Sequence, residues 1–352
     1  MNRSGQNPKV TVLMSAYNAE EYINEAIDSI LHQTFADFEF LIINDDSTDS
    51  TQKIISSYSD PRIRLIVNEK NIGMTLSFNK GLELAKGEYI ARMDADDVSL
   101  PKRLEVQVRY MDQNPTISMC GTFARVFGDK NIIFKQPLSH EAIKSHLLYN
   151  SAFAHPSVVI RSKDFKKYNL SYDGFFQCAQ DYDLWERAIW KVRMANIPRI
   201  LLNYRIKEAG KSKFYLLQNK EANIIKKRQL LRLGLDPSEE EMQIHHNVAK
   251  KLFERSDKTE LIKARGWLEK IIEANKKTQL YDQKPFVSIA SHYWFCACLK
   301  SPQKGFWLWN NYHEFKISNL KQKIVIFKKA FLFKKPLSAF FKDCKIKKRT
   351  NA

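Results

Sequence analysis

No glycine follows the first apolar run of this chain. Residues 10–16 read as a continuous buried strand, and Ser15-Ala16-Tyr17-Asn18 ends it without a Gly-x-Gly-x-x-Gly turn or a phosphate-cradling loop. That excludes an NAD, FAD or P-loop site at this strand end, so a bound nucleotide diphosphate needs its charge met in another way. Long apolar runs are missing too. The longest, residues 286–299, is broken by His292 and falls short of the roughly 18 residues that cross a bilayer. Cysteine is sparse: Cys120, Cys178, Cys296, Cys298 and Cys344 show no pairable spacing beyond one Cys-x-Cys. This odd count, and a polar stretch at residues 1–9 with no apolar core, predict reduced thiols in a cytosolic setting rather than a secreted disulfide framework. Acidic residues are also short, 39 against 57 Lys and Arg, for a net charge of +18.

The location of that charge matters more than its size. Residues 1–210 hold 26 basic and 26 acidic residues, whereas residues 211–352 hold 31 and 13. An ordinary neutral domain, residues 1–212, is therefore expected to precede a basic helical region, residues 213–352, that faces an anionic partner. The expected helices there span residues 214–233, a second starting at Pro237-Ser238-Glu239, and 261–274. Residues 315–352 carry 12 Lys and Arg against Asp343 alone. Ile317, Leu320, Ile324, Phe327 and Phe331 follow 3–4 spacing, with Lys321, Lys328 and Lys335 between them. This is the pattern of a basic amphipathic helix suited to an anionic membrane surface.

Within the neutral part, strand and helix alternate. Strands are expected at residues 10–16, 38–43, 62–67 and 89–93. Helices are expected after Asn18 (read as a cap), at residues 48–58, and at 75–85. Such alternation predicts an α/β domain with a parallel, doubly wound sheet and right-handed crossovers. Ligands of these sheets bind beyond the carboxyl ends of the strands. Three polar clusters fall at those ends: Ser15 to Asn18, Asn44 to Asp49, and Asp94-Ala95-Asp96-Asp97. In an extended chain Asp94 and Asp96 share a face, and oxygen ligands so placed suit a hard divalent ion, Mg²⁺ or Mn²⁺. Further on, a helix from Pro101, a strand at 117–127, a helix at 138–148, a turn and strand at 154–161, a helix from Gln180 and a strand at 197–206 are expected.

These residues resemble the family 2 glycosyltransferases. The matching elements run in family order: Val12 to Asn18, Asn44 to Asp49, Asn71-Ile72-Gly73 with Asn79, Gly87-Glu88-Tyr89-Ile90 leading to Asp94–Asp97, His155-Pro156, Gln180 to Trp185, and Tyr204-Arg205. The resemblance covers roughly residues 8–210. It implies a GT-A fold: a Rossmann-like, mostly parallel central sheet with helices on both faces. It also implies inverting transfer from a nucleotide diphosphate sugar, UDP by family habit, to a glycan or polyprenyl-linked acceptor. That is the chemistry of cell-surface polysaccharides such as lipopolysaccharide or capsule, performed peripherally on the inner face of the cytoplasmic membrane.

Residue by residue, the resemblance implies that Asp45 reads uracil and that Ala16, Tyr17 and Glu20 line the nucleoside pocket. Asn71, Gly73, Asn79, Arg92, Asp94 and Ala95 stand on the nucleotide-sugar side. Asp94 and Asp96 belong to the metal site, with Asp96 as the principal ligand, and Asp181 stands as the catalytic base, although it also reads as a helix N-cap and Asp183 rivals it in either role. Arg92 and Arg205 are candidates for the diphosphate. His155, Trp185 and Arg205 are candidates for the acceptor side, although a lone histidine such as His155 also reads as a structural hydrogen-bonding group. The chain departs from the family at Asn44 and Asp46, where Asp and Gly are common, at Gln180, where Glu is common, and at Lys207, where many relatives have His. Three other readings stay open. They are a sugar nucleotidyltransferase, a nucleic-acid-binding protein suggested by the +18, and a degenerate sugar-binding module.

Overall fold

A computed structural model of the chain describes residues 7–128, 131–206, 211–315 and 320–331. Lys207, Ile317, Lys335 and Cys344 lie outside the described residues. The chain forms two compact units, Met1–Lys226 and Lys227–Ala352.

The first unit opens with the expected alternation: β1 (Val10–Ala16), α1 (Ile23–Leu31), β2 (Phe38–Asn44), α2 (Thr51–Ser56), β3 (Ile63–Val67), α3 (Met74–Leu84) and β4 (Tyr89–Asp94). The order β3-β2-β1-β4 is parallel throughout. Side chains alternate between the two faces. Val12 and Met14 join Ile23, Ile27 and Ile30 of α1, while Leu13 joins Phe78 of α3 in the opposite core. Burial on both faces is why β1 reads as an unbroken apolar run.

Beyond β4 the sheet becomes mixed. The following elements are β5 (Val98–Ser99), α4 (Arg103–Gln113), β6 (Ile117–Gly128), β7 (Ile132–Phe134), α5 (His140–Leu147), β8 (Val159–Arg161), α6 (Ser162–Lys167), α7 (Gln180–Ala188) and β9 (Arg193–Ile206). The short β8 inserts antiparallel between β4 and β6, β9 runs parallel to β6, and β5 closes the order antiparallel to β9. This is the α/β sheet with helices on both faces that the GT-A resemblance implies. β9 starts four residues before the expected 197, and β5, β7 and α6 carry no sequence signal strong enough to foresee them.

Asn18 does not cap α1. That helix starts at Ile23 behind Tyr22, with no side-chain cap. Asn18 instead sits in the left-handed region at φ 46°. Its Oδ1 accepts from the Thr48 N–H at 2.9 Å, tying the turn after β1 to the turn after β2.

Gly87, just before β4, is required by close approach. A Cβ there would stand 2.3 Å from the Thr11 backbone nitrogen. Its N–H donates to Thr11 Oγ1 at 2.8 Å.

α8 (Lys211–Arg232) contains the boundary between the units. In the second unit follow α9 (Glu239–Lys250), α10 (Lys258–Thr278), α11 (Gln283–Lys300), α12 (Gly305–Glu314) and α13 (Leu320–Phe331). α9 and α10 each start with a capping box, Ser238 with Glu241 and Asp257 with Glu260, which satisfies two otherwise orphaned donors per helix. Among the described residues no helix is long and apolar enough to cross a membrane.

Candidate active site

Sheet register brings the polar clusters together. Ala16 pairs with Asn44 and Ser15 with Asp94, so three strand ends finish level at one edge. There they border an open cleft of about 550 Å³. Tyr17, Asp45, Asn71, Gly73, Asp94, Ala95 and Asp96 line it, joined by Ser15, Asn18, Ala19, Glu21, Tyr22 and Met74. Ala16, Glu20, Asn79 and Arg92 stand outside this lining. Ala16 is buried. Glu20 turns away to accept from the Ser50 N–H at 2.9 Å. Asn79 brackets the backbone of Tyr172, donating to its carbonyl at 2.8 Å and accepting from its N–H at 2.9 Å.

Asp45 is almost fully buried and organises one wall. Its carboxylate accepts from Asn68 Nδ2 at 2.7 Å, the Ile72 N–H at 3.0 Å and the Gly73 N–H at 2.8 Å. Gly73 holds φ 86°, the region that favours glycine.

The floor is acidic. Asp94, Asp96 and Asp97 each offer a carboxylate oxygen, and these atoms lie within 4.8 Å of one another. Asp94 is paired on both oxygens by the buried Arg92, at 2.5 Å each, and the Arg92 guanidinium stacks 4.7 Å from the Phe78 ring centre. Asp96 is exposed as a residue, but desolvation by the surrounding protein and the charge of Asp94 push its carboxyl up to about 6. Asp97 is fully buried, and burial with the charges of Asp94 and Asp96 pushes its carboxyl well up. One oxygen of Asp97 accepts from the Arg205 N–H at 2.7 Å, and the other has no hydrogen-bond partner.

This donor set fits a hard divalent cation. All three groups are carboxylates, they converge, and the charges of Asp94 and Asp96 still raise their neighbours despite Arg92, Arg205 and Arg103 nearby. Asp96 is the most exposed residue of the three.

Arg205 locks the turn. Its Nε donates to the Asp96 carbonyl at 2.8 Å and its guanidinium pairs with Glu25. The guanidinium lies over Tyr22 at 4.2 Å and Phe127 at 4.4 Å. From behind, the buried Arg103 donates to the Arg92 carbonyl at 2.7 Å, and Gln107 donates to the Ser157 carbonyl at 2.9 Å. Neither was foreseen. The available signal was a pair of polar residues at i, i+4 on the stripe that Leu104, Val108 and Met111 bury.

Asp181 is the second residue of α7. Ser151, also not foreseen, donates to its Oδ2 at 3.2 Å. Burial pushes the Asp181 carboxyl up from its ordinary range, against the pull of backbone donors and of Arg92. Arg92 thus acts on Asp94 and Asp181 alike. His155 shares a 2.8 Å hydrogen bond with the Tyr172 hydroxyl and packs among Phe78, Tyr172 and Trp185. Burial and Arg92 push its imidazole well below the usual range, so it is neutral. Trp185 is 1% exposed and belongs to this aromatic packing.

The family model described as glycosyl transferase family 2 matches residues 11–168. An uncharacterized glycosyltransferase of Haemophilus influenzae is 33% identical over 247 residues, covering 65% of this chain and 76% of that protein. A UDP-Glc:alpha-D-GlcNAc-diphosphoundecaprenol beta-1,3-glucosyltransferase of Escherichia coli, WfgD, is 32% identical over 176 residues, covering 50% and 68%. Among solved structures, S. aureus TarS 1–349 in complex with UDP-GlcNAc superposes with a TM-score of 0.54 at 17% identity, covering 88% of this chain and 90% of that one.

Proposed function

The chain belongs to glycosyl transferase family 2, and from that membership we propose that it moves a sugar from a UDP-sugar to a glycan or lipid-linked acceptor with inversion at the sugar carbon. The observation that carries the reading is the convergence of Asp94 and Asp96, which line a cleft at three strand ends, with the buried Asp97 beside them. In this reading Asp45, Tyr17, Asn71 and Gly73 receive the nucleoside. Asp96, with Asp94, would hold a divalent cation, whose chemistry there would be to offset charge on the leaving diphosphate. Asp181 takes the proton from the acceptor hydroxyl. The acceptor oxygen bonds to the sugar carbon as the bond to the diphosphate breaks, and the nucleoside diphosphate leaves on the opposite side. A single carboxylate base with no second nucleophile corresponds to one displacement, hence inversion. A raised Asp181 is a stronger base once ionised, whereas burial and Arg92 make the His155 imidazole a poor proton acceptor.

The basic C-terminal helices belong, in this proposal, to the acceptor side and to an anionic membrane surface at the inner face of the cytoplasmic membrane. Phe306 is 74% exposed, and Ile324 and Phe327 are also exposed. Trp309 packs on Phe327 and Phe331, with Lys323 and Lys328 on the same helix as Phe327. Aromatics with neighbouring lysines suit an anionic lipid interface. Full-length protein that ignores vesicles of phosphatidylglycerol at low salt refutes this part.

The catalytic part is tested with a panel of UDP-, GDP- and dTDP-sugars in MnCl2, scored by thermal stabilisation and release of nucleoside diphosphate. A UDP-sugar is expected to respond only with metal. Asp96→Ala should abolish the metal dependence, and Asp181→Asn should retain donor binding while slowing turnover about 10²–10⁴-fold. Unchanged turnover in Asp181→Asn removes it from the mechanism.

A further inference from the structure

α7 has no cap of its own. Its N-cap residue is Ala179, whose side chain offers no hydrogen bond, and alanine is among the poorest residues there. The donors at this helix entry are met from another element. Glu221 of α8 is 4% exposed, and its carboxylate accepts three consecutive backbone N–H groups: Gln177 at 2.9 Å, Cys178 at 2.8 Å and Ala179 at 2.8 Å. Gln218, one turn earlier on α8, donates to the Cys178 carbonyl at 3.3 Å. Ala222 and Ile225 bury in the same core as Ala179, Tyr182 and Trp185, so the carboxylate is delivered by a packed helix face.

We infer that Glu221 is a positioning residue for Asp181. The clamped segment ends at Ala179, and Asp181 follows two residues later in the first turn of α7. The direction of that turn sets where the Asp181 carboxylate points. Three charge-assisted hydrogen bonds to one buried carboxylate fix the direction more firmly than solvent could. The anion also meets the positive end of the α7 dipole. Glu221 lies outside the matched family segment, residues 11–168, and well after the strands that build the cleft, so it can govern the base without touching the donor. The inference rests on the reading of Asp181 as the base.

The test uses Glu221→Gln, Glu221→Ala, Asp181→Asn and the Glu221→Gln/Asp181→Asn double variant in the full chain. Turnover of the nucleotide sugar selected by the panel above is measured alongside UDP binding in MnCl2. In Glu221→Gln the amide oxygen keeps two donors, and the amide nitrogen turns against the third. Its kcat is expected to fall about tenfold, and that of Glu221→Ala about 10²-fold, the scale of a displacement near 1 Å. Donor KM and UDP affinity should stay at wild-type values. In the Asp181→Asn background Glu221→Gln should cost nothing further, because the group it aims is gone. Wild-type kcat in both folded Glu221 variants overturns the inference, and so does an equal loss in the double variant. If Glu221→Ala does not fold, the Gln variant and the double variant still decide. Full activity in Asp181→Asn alone refutes the base reading, a result separate from the other arms, and the inference falls with it.

Discussion

Arg92→Met is the perturbation that most directly tests how the acidic floor is held. In the native chain Arg92 pairs both Asp94 oxygens at 2.5 Å, its side chain 6% exposed and that of Asp94 22%. Methionine keeps the apolar stem against Phe78 but removes the charge. Breaking a buried pair by deleting one partner costs about 3–5 kcal/mol. Asp94 is partly open to the cleft, so the lower end applies, about 3 kcal/mol. Losing the cation–π contact with Phe78, 4.7 Å from the ring centre, adds about 1 kcal/mol. A domain of this size loses about 2–4 °C in Tm per kcal/mol, so the metal-free variant should melt about 10 °C below wild type. The same substitution removes from the three converging carboxylates the one cation that pairs both oxygens of Asp94. MnCl2 should therefore recover more Tm in the variant than in wild type, through tighter binding to the folded state. The assay is thermal unfolding followed by circular dichroism, with and without MnCl2. A drop below about 3 °C, or equal recovery in both proteins, would refute the electrostatic account of the floor.

Four further outcomes are expected. Because burial raises the Asp181 carboxyl, the folded chain binds its proton more tightly than the unfolded chain. At this residue stability is therefore lost as pH rises through the folded value and recovered as pH falls below it. Asp181→Asn, permanently neutral, should melt above wild type at pH 8, and the gap should close on acidification; a constant gap across pH contradicts the burial argument. Turnover of the wild type should show an acid limb above the ordinary carboxylate range, read from a kcat–pH profile. Gly87→Ala would drive a Cβ to 2.3 Å from the Thr11 nitrogen and 2.6 Å from the Tyr89 carbonyl, prying β1 from β4 at a cost of about 3 kcal/mol, measurable by urea unfolding. Asp46 sits at φ 58°, so Asp46→Val should cost about 2 kcal/mol, whereas Asp46→Gly should be close to neutral.

The edge of the sheet was legible because β1, β2 and β4 are buried on both faces and end abruptly in polar residues; that pattern needs no long-range information. Asp46 shows the same legibility in a departure. The position where the family resemblance implies glycine is left-handed here, and aspartate tolerates it. Asn18 was misread because asparagine serves equally as a helix cap and as a left-handed residue. What decides is Thr48, 30 residues away, and local pattern cannot reach it. Glu20, Glu21 and Tyr22 look interchangeable in sequence, yet the late start of α1 turns Glu21 and Tyr22 to the cleft and Glu20 to Ser50. α11 escaped notice as a helix because apolar residues occupy every side of it: Phe286, Ala290, Tyr293 and Ala297 bury on one face, and Ile289, Phe295 and Leu299 lie off it, which erases the amphipathic period. The antiparallel insertion of β8 leaves no trace in a three-residue strand.

The site residues depend on a shared device that local sequence conceals. Three of the loops that carry them are gripped by a charged side chain from far along the chain. Asp45 holds the Ile72 and Gly73 amides, at separations of 27 and 28 residues. Arg205 holds the Asp96 carbonyl across 109 residues. Glu221 holds the entry to α7 across 42 to 44 residues. A side-chain charge satisfies the buried backbone groups of an irregular loop without requiring a strand partner, which leaves the loop surface free for ligand. The cost is that each loop hangs on one residue. A fragment ending at residue 212 would keep the β-strands and the acidic floor but lose Glu221, leaving three amides at the α7 entry without their acceptor. Such a fragment should bind UDP with Mn²⁺ and turn over poorly. Under this argument the catalytic domain therefore needs α8 at least through Ile225, the last of its residues buried against the α7 core.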